Sequence, residues 1–167
     1  MSLSGIWYHG SSLKFISMRL PKKYSPTEQL GFGIHFAKNK GFAERYGDVI
    51  YTCKLHPDQV LDVSEGMLIA PGDPMDKFAK EFFPRGYHPY FIDKEHYVFG
   101  QGQIDVRKPK DAEAILKKYG YDAVIYHAKY GTRSAYLGQG MHVQDETLAV
   151  TVLDPTKIEI TDCEVTY

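Results

Sequence analysis

The sequence predicts an α+β fold, and three observations carry the prediction. About seven short runs of β-forming residues are spread along the chain, most of them near its two ends. Two or three intervening segments carry apolar residues at helical spacing. Aromatic residues are abundant, with 13 Tyr, 9 Phe and one Trp, which favours strands and a ring-lined cleft over a helical bundle. A chain of 167 residues reads as one domain over 1–167, able to bury about two-thirds of its unfolded surface.

Taken in order, the opening "MSL" reads as an expression remnant outside the fold. "IWYHGSS" (6–12) is an apolar and aromatic run ending in small residues, a strand running into a turn. Residues 13–30 contain the basic, proline-bearing "MRLPKKYSPTEQL" and read as a loop. "GFGIHFA" (31–37) is a strand bracketed by glycines. "NKGFAERYG" (39–47) follows as a short helix, with Asn39 as cap and Gly47 as stop. "DVIYTCKL" and "QVLDV" are strands separated by the turn "HPDQ". Residues 64–108 form an irregular insert, of the kind that is usually a functional or flexible loop. Within it, Met75, Phe78, Ala79, Phe82 and Phe83 have helical spacing. "KPKDAEAILKKYG" (108–120) is a helix with Ala112, Ile115 and Leu116 on one face, lysines in its last turn and Gly120 at its end. "YDAVIYH" is a strand and "RSAYLGQGM" a loop. "ETLAVTVL" and "KIEITDCEV" form a strand pair joined at Asp154-Pro155-Thr156.

Composition narrows the function. A net charge of −1 gives no basic footprint, so nucleic acid is disfavoured as a partner but left open. Two cysteines, Cys53 and Cys163, are too few for a disulfide framework and read as buried thiols of a reducing compartment. No apolar run reaches 18 residues and no signal peptide precedes the first motif, so a soluble, cytoplasmic protein with no membrane partner is expected. The seven histidines show no ligand spacing, so no metal is expected.

One stretch calls for a ligand. In "GFGIHFA" a histidine stands between Ile34 and Phe36, where a plain buried strand would use an aliphatic residue. Two glycines before it let a backbone approach a ligand closely. His35 and Tyr46 are eleven residues apart, one in the strand and one late in the next helix, so their rings can flank one cleft. His9-Gly10 ends the first strand upstream.

These pieces, in this order, resemble the ADP-ribosyltransferases of the diphtheria-toxin and poly(ADP-ribose) polymerase branch. In that branch a His-Gly on the first strand precedes a "G-x-G-I-Y-F-A" strand, then a helix with a second tyrosine eleven residues after the first. "YGYDAVIYH" (119–127) and "LAVTVLDPTKIEI" (148–160) resemble later strands of small bacterial and phage members. The resemblance implies a split β-sandwich of two antiparallel sheets with a few short helices. It implies NAD as substrate, with cleavage of the nicotinamide–ribose bond and transfer of ADP-ribose to an unknown macromolecular or small-molecule acceptor. The residues it assigns to NAD are His9, Gly10, Ser11, Gly33, His35, Phe36 and Tyr46. His9 would bond the adenosine ribose, Gly10 would grip the carboxamide through its backbone, and His35 would stack on the nicotinamide.

The chain also departs from that pattern. His35 replaces a tyrosine and brings less stacking area and a pH-dependent charge. Ala43 replaces a serine that bonds the nicotinamide amide in polymerase-type relatives, a loss of about 1 kcal/mol. Relatives place a glutamate five residues before the aspartate of the "DPSQI"-like turn, and counting back from Asp154 gives Ala149. With His9 and His35, the catalytic candidate is Glu146 in "QDET" (144–147), three residues from Ala149 and so on the opposite side of a regular strand. It reaches the ribose only through a bulge or from a loop before the strand. Asp145 is the other acid there, whereas "DKEH" (93–96) reads as a solvated loop. Two rival readings stand beside the transferase. One is a catalytically inactive NAD- or ADP-ribose-binding module. The other is an RNA 2′-phosphotransferase, whose substrate demands an Arg/Lys-rich cleft that only Arg19, Lys22 and Lys23 hint at.

Overall fold

A computed structural model describes residues 3–14, 17–21, 30–83, 85–86, 89–133 and 141–166, with the main chain alone for 130–133 and 141–144. Seven strands build one sheet: β1 (Leu3–Ser11), β2 (Ile34–Ala37), β3 (Val49–Leu55), β4 (Val60–Asp62), β7 (Ala123–Arg133), β8 (Met141–Val152) and β9 (Ile158–Val165). Their order is β4-β7-β8-β2-β1-β3-β9. β5 (Met67–Ile69) and β6 (Tyr97–Phe99) pair as a separate antiparallel ribbon. The fold is α+β, as the sequence predicts. The two sheets are unequal, however, and the large one is mixed, because β4 and β7 run parallel. A parallel pair needs a long crossover, which the chain supplies through α2 (Pro74–Glu81), α3 (Gln101–Asp105) and α4 (Pro109–Lys118).

The region read as an irregular insert is therefore part of the body of the domain. Ile69, Phe78, Phe82, Tyr97, Phe99 and Ile104 are all nearly inaccessible and join Leu116, Val124 and Ala149 in one core cluster. Each such side chain contributes roughly 1.5–3 kcal/mol by burial. The sequence hid this because the β5 and β6 strands are only three residues long and α3 five. A polar bond anchors the region: the Tyr97 hydroxyl donates to Asp76 Oδ1 at 2.5 Å. Asp76 also accepts from the Gly72 N–H at 3.0 Å and from Lys80 at 3.0 Å. Burial opposes ionisation of Asp76, but these bonds outweigh it and hold its carboxyl below the ordinary range. Burial, with the Asp76 carboxylate beside it, pushes the Tyr97 phenol up.

A second core lies on the opposite face of the large sheet, where Trp7, Phe36, Tyr51, Leu55, Val150 and Val152 pack with Met18 from the stretch after β1. Cys53 is fully inaccessible here, and desolvation pushes its thiol up to about 12, an inert group. Leu3, set aside as a remnant, begins β1 opposite Leu55. α1 (Lys40–Ala43) continues into a 3-10 turn at Glu44–Tyr46. Its Asn39 cap accepts from the Phe42 N–H at 3.2 Å, as predicted. β7 and β8 extend beyond their predicted limits into residues read as loop. The middle of that loop, 134–140, lies outside the described residues.

Candidate functional site

β1 and β2 meet at one pair, Tyr8 opposite Ala37. On its other side β1 is paired with β3 continuously from Trp7 to Ser11. Past Tyr8, a side chain bridges β1 and β2: His9 Nδ1–H donates to the His35 carbonyl at 2.7 Å. The sheet thus opens beside Gly10.

Alternation along the strands sorts the predicted site residues between two faces. His9 lies on the face of the second core, its ring 5.6 Å from Phe36 and 6.2 Å from Tyr51. Gly10 and His35 fall on the other face, beneath α1. A Cβ on Gly10 would collide with the carbonyl oxygen of Ala43 and stand 3.3 Å from Tyr46 Cβ. Glycine is therefore required at position 10 by the chain's own helix. Tyr46 is half-exposed, with its ring 5.9 Å from that of Phe42. Gly10, His35 and Tyr46 are brought to one side of the opening, while His9 approaches from the other.

The remaining predicted ligand contacts have structural partners. Phe36 is 1% exposed and supports the His9 ring, so it presents no face to a ligand. Gly33 has φ +75°, and a Cβ there would strike Thr151 Oγ1; its close approach is to β8. Ser11 Oγ accepts from the Leu13 N–H at 3.1 Å and caps the turn after β1. A residue absent from the sequence reading completes the opening. Tyr126 on β7 bonds His35 Nδ1 at 2.6 Å, with the two rings edge-on at 88°. Within "YDAVIYH" it looks like any strand tyrosine, and only the register reveals it.

The two acids of "QDET" separate. β8 pairs with β7 at Tyr130↔Asp145, Lys129↔Glu146 and Tyr126↔Ala149 in regular register, and the one shift falls between Tyr130 and Gly131. Glu146 therefore lies inside the strand, with the irregularity before it. It takes neither route to the ribose that the sequence left open. Ala149, at the expected glutamate position, is 2% exposed and lies opposite Ala37. Val150 is the β8 residue opposite Phe36. Glu146 lies four residues beyond it, about 13 Å along the strand, in the direction leading away from Gly10. The structure does not bring Glu146 to His9, Gly10 and His35. Asp145 falls on the α1 face, where its Oδ2 accepts from Arg45 Nε at 3.2 Å, one residue before Tyr46.

Glu146 instead lines a polar cleft of about 430 Å³ with Ser64, Gln101, Gly102, Asp105, His127 and Lys129. The Gln101 side chain acts there as a surrogate strand. Its Oε1 accepts from the His127 N–H at 3.2 Å and its Nε2 donates to the His127 carbonyl at 3.0 Å. Asp105 is exposed, yet desolvation by its surroundings, opposed by Gln101, pushes its carboxyl up to about 6. "DKEH" is a turn capped by Asp93 Oδ1, which accepts from the N–H groups of Glu95 and His96 at 2.8 and 2.7 Å. Among the described residues, no three His, Cys, Asp or Glu side chains are grouped to hold a metal, and no helix is long and apolar enough to cross a membrane.

No protein-family model matches this chain. No curated protein matches it either. Among solved structures it is similar to a crystal structure of an anti-CRISPR protein, with a TM-score of 0.38 and 13% sequence identity over 99% of this chain and 95% of that one.

Proposed function

We propose that the chain is an ADP-ribosyltransferase-type protein that binds the nicotinamide end of NAD at the opening between β1 and β2 and transfers ADP-ribose to an acceptor. The observation that carries this reading is the single-pair contact of β1 with β2, with Gly10, His35 and Tyr46 gathered beside the gap. Main-chain groups freed from a ladder are suited to a carboxamide, which needs one donor and one acceptor. The half-exposed Tyr46 ring and the His35 ring supply aromatic surface for a planar cation. This chemistry belongs in the cytoplasm, where NAD is supplied.

Cleaving the nicotinamide–ribose bond develops positive charge on the sugar, which a nearby carboxylate stabilises. Of the two acids, Asp145 alone shares the face of Gly10 and His35 and is tied to the turn carrying Tyr46. It stands one residue further along β8 from Gly10 than Glu146 does, and we take the shared face as the deciding feature. Asp145→Asn is expected to lower turnover of labelled NAD by about 10² with little change in NAD affinity. Glu146→Gln is expected to leave both unchanged. The opposite ranking would return the role to Glu146. A second reading, binding without turnover, is favoured by the buried Ala149 at the expected glutamate position. NAD bound by the wild type but never consumed, with no ADP-ribosylated product by mass spectrometry, would select it.

A further inference from the structure

Three residues around the opening form one arrangement. β8 lies between β7 and β2. Tyr126 of β7 stands opposite Ala149, and Ala149 stands opposite Ala37 of β2. To place its hydroxyl 2.6 Å from His35 Nδ1, the Tyr126 side chain crosses β8 on the face that Ala149 shares with Thr151, the residue opposite His35. β7 and β2 stand roughly 10 Å apart, twice the usual strand spacing, which a tyrosine and a histidine span together. At 3% exposure Tyr126 is buried, and a buried phenol requires a partner. Donation by its O–H to the lone pair of Nδ1 is the arrangement that would leave the imidazole hydrogen on Nε2.

We propose that Tyr126 is a positioning residue for the nicotinamide site, holding His35 in one tautomer and one edge-on pose by a bond that reaches across β8. The proposal rests on the NAD-binding reading above. Nitrogen-15 spectra of histidine-labelled wild-type protein should show His35 with Nδ1 unprotonated and Nε2 carrying the hydrogen. A hydrogen on Nδ1, or an averaged pair of tautomers, overturns the proposal without any variant. Tyr126→Phe, which keeps the ring and removes the donor, should mix the tautomers and weaken binding of both nicotinamide and NAD by about tenfold, measured by calorimetry. Unchanged affinity in that variant, with the wild type binding, overturns this proposal alone. A wild type that binds neither ligand overturns the NAD reading as well, and the two failures are thereby told apart. Should Tyr126→Phe fail to fold, the wild-type spectrum still decides.

Discussion

Replacing Gly10 by alanine is expected to destabilise the fold by about 4 kcal/mol, the largest effect of any single change at the opening. The added methyl has nowhere to go, because it would meet the Ala43 carbonyl oxygen, a main-chain atom at the end of α1. That helix cannot easily yield. Asn39 caps it, Thr147 Oγ1 accepts from the Asn39 N–H at 3.1 Å, and Phe42 and Ala43 are each 2% exposed. On the other side, β1 is bound to β3 through its whole second half. Urea unfolding of Gly10→Ala measures the effect, and a loss under about 1 kcal/mol would contradict the close approach of α1. The result also governs how ligand experiments are designed. A Gly10 variant that loses NAD affinity reports on the seating of the helix as well as on the carboxamide, so His35 and Tyr126 are the cleaner probes.

Asp76→Ala is expected to cost about 3 kcal/mol at neutral pH, from a crossover region that the sequence presents as loop. The substitution strands the inaccessible Tyr97 hydroxyl and removes the acceptor for the Gly72 N–H and Lys80. The pH dependence has a definite sign. Asp76 is held below its ordinary 3.8 in the fold, so its stabilisation is complete above that value and is lost as pH falls through the folded value. The gap between wild type and variant should be widest at pH 7 and close below 3.8. Thermal melting across that range checks it. A constant gap would mean that the cost comes from packing alone.

The sequence showed the parts of this fold that depend on local chemistry. α2 and α4 follow from apolar spacing and terminal residues, and the Asn39 cap from residue type. It also showed that Glu146 and position 149 face opposite ways, since that follows from strand geometry alone. Other features were set by partners far along the chain. β5, β6 and α3 are too short to show a period, and they form because Phe78, Tyr97 and Phe99 share a core. β8 begins at Met141 rather than near Glu146 because β7 is there to pair with it. In isolation, "HVQDE" has nothing of a strand. Tyr126 became a site residue only when β8 was placed between it and His35. Gly10 was legible as special, but the reason lay in a helix more than thirty residues away.

The central claim is that NAD binds by its nicotinamide end at the gap beside Gly10. Calorimetric titration of the wild type with NAD, nicotinamide and ADP-ribose, repeated on His35→Ala, tests it most directly. The account predicts saturable binding of NAD and nicotinamide, weakened about tenfold or more by the substitution while the melting transition stays cooperative. No binding of either at millimolar concentration, or binding untouched by the loss of His35, would contradict it.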